Sequence, residues 1–533
     1  MRLPKPAKPS GNILARRLLS LTPYDDFTIG DLMQNVSILG QPGSGKTSGS
    51  GAHLAKAILR SGAGVLVLCA KADDRALWEH YCAEAGRTAS LLIFDGKRHR
   101  YNFIAAELAR HGIDGINIII ECIMQVLDAA RSLSGGARKG DVFWEDIIRL
   151  LLRYSLIVIY LATGTISIQS ILNFIRSVPR SMEEMTSPEW QQNSFFYQCF
   201  AAVRHTIDPE LGQQILSFWR DQWMTLDIKT KSNAEISLCT TLDRFNHGWL
   251  REAFTTDTTL APELLLHGAV IVLDMPAVTH MDDGILAQRL FKFISQRVLL
   301  ARQSYGAAHA ERPVVIWMDE AHLFVDAHDA KFMALSRSVL CGTVLMAQSL
   351  PTYKAVMGGE NGDARVDQLL ANCSTKVWHS TSCPITAKNA ADTLGKMLHR
   401  RATWSEGSGS GSTGGANVGM GDNWGTNESS GSSANWSSGA NGSGTVSHGF
   451  NSNSGSSEGS NRSRGRSTGW SESRNVSDGW SEQLGYILEP AEFGRILKTG
   501  GPANDNIVSG VWYQSGRRFA ASGGPAILVE FCQ

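Results

Sequence analysis

A Gly-x-x-x-x-Gly-Lys-Thr loop lies near the start of the chain, and it is the pattern that binds nucleotide phosphates. An apolar run at 36–39 predicts a strand before the loop, and residues 48–60 predict a helix after it, whose N-terminus favours an anion. The loop and the residue after it are Gly40, Gln41, Pro42, Gly43, Ser44, Gly45, Lys46, Thr47 and Ser48. In such loops backbone N–H groups surround phosphate oxygens, the lysine reaches the β- and γ-phosphates, and the threonine hydroxyl ligates Mg²⁺. The sequence therefore predicts a nucleoside triphosphate site with Mg²⁺, held by Thr47, on an α/β fold.

Composition indicates a globular protein of several domains. The chain has 533 residues, 43% of them hydrophobic, and a formal net charge of zero, so charge neither supports nor excludes a nucleic-acid partner. Nine cysteines are scattered without a Cys-x-x-Cys pair, which favours reduced thiols over disulfides or zinc. The longest apolar run, 154–162, is shorter than the roughly 20 residues that a membrane span needs, and no signal peptide is recognisable. We therefore expect a soluble, cytoplasmic protein.

Strand-like runs separated by helical patterns predict a parallel α/β sheet. The runs lie at 65–68, 91–94, 270–273, 314–318, 343–347 and 376–379. Strand signals are absent from 104–231, where the apolar positions of residues 142–163 predict a core-facing helix; they are Phe143, Trp144, Ile147, Ile148, Leu151 and Leu152. We predict a nucleotide-binding domain in two parts (1–103 and 232–403), an inserted all-α domain (104–231), a separate segment (404–482) and a C-terminal return to the first domain (483–533).

The segment 404–482 is rich in Ser, Gly and Asn, a composition typical of a flexible linker. However, every odd-numbered position from 405 to 481 is Ser, Gly, Asn or Thr, while every Trp, Arg, Glu and Asp occupies an even position. Alternation with period two is typical of an extended strand, although repeat expansion without folding would also preserve it. A hairpin turning near the middle would have arms of about 37 residues, or roughly 120 Å. An ordered β-hairpin is our prediction.

Polar residues at strand ends complete a predicted ATPase site. The apolar run 314–318 ends in Asp319 and Glu320, which would hold Mg²⁺ through its water shell and deprotonate the attacking water, respectively. Gln348 ends the run 343–347, where a side chain can contact both the γ-phosphate and the attacking water. Arg337 precedes that strand, where it could serve a neighbouring subunit as an arginine finger. The alternatives are a strand-end hydrogen bond for Gln348 and a solvated surface charge for Arg337.

Five short motifs resemble the type IV coupling proteins, the TraG/TraD-like ATPases of conjugative DNA transfer within the FtsK/HerA group. They are Met-Asp-Glu-Ala-His (318–322), Leu-Ser-Arg-Ser (335–338), Met-Ala-Gln-Ser-Leu (346–350), Leu-Leu-Ala-Asn-Cys (369–373) and Ala-Asp-Thr-Leu-Gly-Lys (391–396). The resemblance implies a RecA-like P-loop NTPase domain with an all-α insertion, hydrolysing ATP with Mg²⁺ and assembling as a homo-hexamer around DNA. It also implies a sensor role for Gln348 and a finger role for Arg337.

The chain departs from the family pattern at two places. The family's Asp-Pro-Lys-Gly after the second strand is Cys-Ala-Lys-Ala here, so only Lys71 matches. The N-terminal transmembrane anchor of many members is not recognisable, so we expect any attachment to the inner membrane to be peripheral, through partners. The first hypothesis is a DNA translocase that hands DNA, with a bound relaxase, to a type IV secretion channel. The alternatives are a HerA-like ATPase of DNA processing or mobile-element defence, and an interaction scaffold that uses the segment 404–482.

Overall fold

The computed structural model describes residues 12–133, 141–305, 311–357, 362–415, 423–438, 444–459 and 467–533. These residues form two compact units. The first is Met1–Thr386 together with Phe493–Gln533, and the second is Ala387–Glu492.

A nine-stranded sheet forms the centre of the first unit, with strand order β15-β14-β9-β3-β8-β7-β4-β6-β5. The strands are β3 (Val36–Leu39), β4 (Gly64–Leu68), β5 (Leu91–Phe94), β6 (Val270–Leu273), β7 (Val314–Met318), β8 (Cys341–Ala347), β9 (Thr375–Trp378), β14 (Ile507–Gln514) and β15 (Ala526–Cys532). The seven strands from β9 to β5 are parallel, and β14 and β15 join antiparallel beside β9. A separate hairpin, β1 (Arg17–Ser20) and β2 (Asp26–Thr28), was not predicted from the sequence.

The inner strands are buried on both faces, which explains their nearly continuous apolar sequences. Every residue of β3, β4, β6, β7 and β8 is buried. The predicted parallel α/β sheet and each predicted strand run are therefore confirmed, and β14 and β15, near the C-terminal end of the sequence, join the same sheet.

Helices connect the strands and occupy the interval between β5 and β6, and the last helix, Pro384–Leu394, belongs mainly to the second unit. Those outside that interval are α1 (Ile29–Leu32), α2 (Ala52–Ser61), α3 (Asp74–Glu84), α14 (Ala277–Leu300), α15 (Ala327–Ser336), α16 (Leu350–Met357), α17 (Gly362–Ala371) and α18 (Pro384–Leu394). Those inside it are α4 (Phe103–His111), α5 (Gly115–Leu133), α6 (Asp141–Thr163), α7 (Ile168–Arg176), α8 (Met182–Met185), α9 (Pro188–Asn193), α10 (Phe195–Val203), α11 (Pro209–Ser217), α12 (Ile228–Asp243) and α13 (Gly248–Thr255).

The helical region between β5 and β6 contains no strand among its described residues, in agreement with the all-α prediction. On α6 the expected core positions Ile147, Ile148, Leu151 and Leu152 are buried, but Phe143 is 58% exposed. Phe143 lies in the first turn of α6, beyond the packed middle of the helix, so its assignment to the core was wrong. The boundaries proposed at 103 and 231 stay predictions.

No single helix among the described residues has both the length and the apolar composition needed to cross a membrane. One bent pair, Phe143–Thr163 with Ile168–Arg176, meets these criteria jointly, with an angle of 112° between its two helices.

The second unit is dominated by four antiparallel strands in the order β10-β13-β12-β11. They are β10 (Lys396–Gly415), β11 (Asn423–Ser438), β12 (Gly444–Gly459) and β13 (Ser467–Tyr486). Gly415 pairs with Ser467, and eight residues further along each arm Asn423 pairs with Gly459. The two sets of pairs share one register, in which even-numbered positions pair with even-numbered ones, and both consist of extended strands, as the period-two alternation predicts.

The hairpin does not form a simple two-stranded arm of roughly 120 Å. Residues Val446–Asn451 of β12 also pair with Ser477–Glu482 of β13. The distal half of the hairpin, made of β11 and β12, therefore lies beside the proximal half, made of β10 and β13. A two-stranded ribbon is only marginally stable in water, and the additional pairing gives β13 neighbours on both sides. Three even-numbered arginines of this segment, Arg462, Arg464 and Arg466, could contact a DNA backbone or form a solvated charged strand face, and they lie outside the described residues.

Candidate nucleotide-binding site

The phosphate-binding loop begins where β3 ends, at the carboxyl edge of the parallel strands. The Gly40 N–H donates to the Ala347 carbonyl at the end of β8 (3.3 Å), and the Gln41 N–H donates to the Ser380 carbonyl beyond β9 (3.0 Å). Gly45 has φ of +82°, and a Cβ atom there would lie 2.3 Å from a methyl group of Val508. Glycine is therefore required at this position for both its backbone conformation and its lack of a side chain.

The loop continues into a helix, as predicted. Its first turn, Thr47–Gly51, is π-helical, and α2 follows without a break. The Gly51 N–H donates to the Lys46 carbonyl, five residues back, at 2.9 Å. Single π-helical turns are rare and occur frequently at functional sites.

The predicted phosphate-loop and acidic residues meet in one buried cluster. The Lys46 Nζ lies 3.6 Å from the Glu320 Oε1, and the Thr47 hydroxyl donates to the Asp319 Oδ2 at 3.2 Å. Lys46, Asp319 and Glu320 are all at most 7% exposed. Buried charges are stable only when they are paired, so each lysine and carboxylate depends on the other members of the cluster.

Lys71 joins this cluster from the end of β4. Its Nζ lies 3.3 Å from the Asp319 Oδ2 and 3.7 Å from the Glu320 Oε1. Burial alone would lower the pKa of Lys71, but the two carboxylates outweigh it and raise that pKa. The sequence had marked Lys71 as the one match to a family motif without assigning it to the site.

The backbone of Glu320 adopts a left-handed conformation, with φ and ψ both 48°. For a residue with a Cβ atom this costs about 1–3 kcal/mol, and such strain is concentrated at functional sites. The Glu320 Oε2 is buried and has no hydrogen-bond partner among the described residues. This oxygen faces the ring of His322, whose Nδ1 lies 3.7 Å away, beyond hydrogen-bond distance.

Gln348 lies directly beyond β8, and its amide donates to the Glu320 Oε1 at 3.5 Å. The side chain therefore reaches the carboxylate predicted to activate water. Arg337 is exposed and lies before β8, at the opposite edge of the sheet. A strand of seven residues spans roughly 23 Å, so Arg337 does not reach the phosphate loop of its own chain.

A fully buried histidine under the loop was missed by the sequence analysis. His379 follows β9, and its Nδ1 lies 3.0 Å from the Ser509 carbonyl while its Nε2 lies 2.7 Å from the Ser50 hydroxyl. Because a carbonyl only accepts hydrogen bonds, Nδ1 carries the proton and Nε2 accepts from Ser50. The pKa of His379 is lowered to about 4, chiefly by burial and to a smaller extent by the charge of Lys46, while the bond to the Ser509 carbonyl opposes the shift.

His379 makes the stability of the protein depend on pH. The unfolded chain binds a proton on this residue near pH 6.5 but the folded chain only near pH 4, so the contribution is complete above pH 6.5 and is lost as the pH falls towards 4. We expect this residue to account for a loss of about 3 kcal/mol in unfolding free energy over that interval. Denaturant titrations of wild type and His379→Gln would measure it, and parallel pH profiles of the two proteins would contradict it.

The donor set fits a magnesium–triphosphate ligand. The Ser44 hydroxyl and the Glu320 Oε2 are buried without hydrogen-bond partners among the described residues, and a Cβ at Gly43 would meet nothing within 4 Å. The Thr47 hydroxyl and the Asp319 carboxylate are oxygen donors of the type that Mg²⁺ prefers. Among the described residues, no group of three or more His, Cys, Asp or Glu side chains is arranged to bind a metal ion by itself.

The fold and the loop together define a RecA-like P-loop NTPase fold with an all-α region between strands, as predicted. No family model and no curated protein matches the chain.

Among solved structures, the chain is similar to the plasmid coupling protein TrwB. For TrwB in complex with the non-hydrolysable ATP analogue ADPNP, the TM-score is 0.51 and the identity 12%, over 98% of this chain and 90% of that chain. For TrwB with ADP and Mg²⁺, the TM-score is 0.50 and the identity 12%, over 95% and 86%. The predicted resemblance to coupling proteins is thereby confirmed at the level of the fold.

Proposed function

We propose that this protein is an ATP-hydrolysing DNA translocase of conjugative transfer, a coupling protein that delivers DNA to a type IV secretion system. The observation that carries this proposal is the cluster of Lys46, Thr47, Asp319, Glu320 and Gln348 on a fold shared with TrwB, which binds ADP with Mg²⁺ and ADPNP. The cluster supplies the ATPase chemistry, and the fold supplies the link to DNA transfer.

In the structure, Lys46 is paired with Glu320. An incoming triphosphate offers Lys46 stronger charge-assisted hydrogen bonds, so Lys46 turns to the β- and γ-phosphates and leaves Glu320 with Lys71 and Gln348. Glu320 then accepts the proton of the attacking water, and Gln348, bonded to the same carboxylate, fixes its orientation. Mg²⁺ would be held by the Thr47 hydroxyl and, through water, by Asp319, and it would neutralise charge on the phosphates.

Among the described residues, the side-chain cations paired with Asp319 and Glu320 are the lysines Lys46 and Lys71, and no ion pair joins an arginine to either carboxylate. Arg337, exposed at the opposite sheet edge, serves the nucleotide of a neighbouring subunit in a head-to-tail ring of six. Each ATPase site is then composite, and hydrolysis moves one subunit against the next along the DNA backbone.

A complementation experiment tests the composite site. Lys46→Ala and Arg337→Ala proteins should each hydrolyse ATP poorly, since one lacks the loop lysine and the other the finger. In a random one-to-one mixture about a quarter of the interfaces of a head-to-tail ring combine an intact loop with an intact finger, so turnover should return to about that fraction of the wild-type rate. We would measure phosphate release from rings assembled after mixing.

Two results would contradict a role for Arg337 in trans. The first is Arg337→Ala turnover equal to that of wild type. The second is a mixture that assembles into rings but hydrolyses no faster than the average of the two variants. Lys331→Ala, which removes an exposed cation from α15, the helix that ends just before Arg337, is the matched control and should leave turnover unchanged.

The proposal places the protein at the cytoplasmic face of the inner membrane, held there by the secretion channel. Its partners are DNA, a relaxase bound to that DNA, and other copies of the chain. Contacts of a translocase with the phosphate backbone are largely independent of sequence and weaken with salt.

A further inference from the structure

The π-helical turn Thr47–Gly51 determines where Lys46 and Thr47 are presented to the phosphates, because both residues stand at its start. A π-helical turn is less favourable than an α-helical one, so a contact from outside the helix is expected to hold it. Such a contact is made by Ser50, the fourth of the five residues of the turn, which is completely buried.

Ser50 has two acceptors within reach. A serine inside a helix commonly donates to the carbonyl four residues back, which for Ser50 is that of Lys46, here 3.4 Å away. The His379 Nε2 is much closer, at 2.7 Å, and so receives the hydroxyl proton. The Lys46 carbonyl accepts the shorter bond from the Gly51 N–H, at 2.9 Å, and that bond defines the π-helical turn.

His379 is itself fixed on every side. Its backbone N–H donates to the Leu39 carbonyl at 2.8 Å, and its ring donates to the Ser509 carbonyl. A Cβ atom on Gly40 would lie 2.7 Å from the His379 Cβ, and one on Gly510 would lie 3.1 Å from the ring. The His379 Cβ thus lies close to Gly40 and its ring close to Gly510, at two positions where a larger residue would crowd the histidine.

We propose that His379 is a positioning residue for nucleotide binding, which holds the first turn of the phosphate-loop helix through the Ser50 hydroxyl and connects it to β14. The inference rests on the proposed function, since it assigns residues behind the phosphate loop to the same nucleotide-binding site. It extends to β14 because Val508, next to Ser509, packs against Gly45 and Gly49 of the loop and its helix.

The test measures binding of ADP with Mg²⁺ by isothermal titration calorimetry and, separately, thermal unfolding. Ser50→Ala and His379→Asn each remove one partner of the bond, and each should raise the Kd about tenfold, the value of one net hydrogen bond. The double variant should bind no more weakly than either single variant, because the two residues act through one bond. His379→Gln, whose amide oxygen reaches the Nε2 position, should bind more tightly than His379→Asn.

Ser295→Ala is the matched control. Ser295 is also a buried helical serine, bonded within α14 to the Phe291 carbonyl at 2.8 Å, and we expect its loss to affect unfolding but not the Kd.

A purely structural histidine would lower the unfolding temperature and leave the Kd of folded protein unchanged. That result for Ser50→Ala and His379→Asn, with wild type binding ADP normally, overturns this inference alone. Wild-type protein that binds no ADP overturns the proposed function as well. Additive effects in the double variant also contradict the proposal, since they would show that the two residues act independently.

Discussion

Lys46→Ala should weaken the binding of ADP with Mg²⁺ at least 100-fold and abolish measurable ATP turnover. Lys46 is the cation of the phosphate loop itself, and charge-assisted hydrogen bonds to phosphate contribute about 1.5–3 kcal/mol each, of which a P-loop lysine makes more than one. The fold should persist, because Lys71 remains within 3.7 Å of Glu320 and continues to balance its charge. Calorimetry gives the Kd, and circular dichroism verifies the fold.

Lys56→Ala is the control for this variant. Lys56 lies on α2, the helix that follows the phosphate-binding loop, and it pairs with Glu84 at 2.8 Å, away from the loop. Its loss should leave the Kd within twofold of the wild-type value, since partly exposed ion pairs contribute little. Equal affinities of Lys46→Ala and wild type for ADP would refute the assignment of the phosphate loop.

Glu320→Gln should reduce ATP turnover about 10²–10⁴-fold, the range that general-base catalysis contributes. Binding should be retained, with the Kd for ATP equal to or below the wild-type value, because the substitution removes a negative charge that the γ-phosphate would face. The glutamine keeps the size of the side chain and an acceptor for Gln348. A combined measurement of single-turnover hydrolysis and of ATP affinity separates these two effects.

Glu79→Gln is a matched control for the loss of a carboxylate, since Glu79 pairs with Arg75 on the partly exposed side of α3. Its turnover should equal that of wild type. Turnover of Glu320→Gln close to the wild-type rate would mean that another group activates water. A defect confined to ATP affinity would instead make Glu320 a binding residue.

The central sheet was predictable because its strands carry local signals. Strands such as β3 and β7 are short apolar runs buried on both faces, and the loop and the acidic pair follow them directly in sequence. Parallel strands present their carboxyl ends at one edge of a sheet. The proximity of Lys46, Asp319 and Gln348 could therefore be predicted, because each of them follows a strand of this sheet.

Other features depend on pairings that no local pattern specifies. The period-two alternation of 404–482 predicted strands and their phase, but not that β12 would pair with β13 as well as with β11. Ser50 and His379 are 329 positions apart, and neither stands in a motif. The exposure of Phe143 and Arg337 likewise depends on tertiary packing. Phe143 lies in the first turn of α6, and Arg337 follows the last residue of α15.

The central claim is that ATP hydrolysis at this site drives movement on DNA, and its most direct test is ATP turnover with and without DNA. We predict that single- or double-stranded DNA raises turnover of wild-type protein several-fold, that this stimulation falls steeply with salt because the contacts are made to phosphates, and that Glu320→Gln shows none of it. Turnover that no DNA stimulates at any salt concentration would contradict the account, and would favour an ATPase whose hydrolysis serves assembly or another substrate.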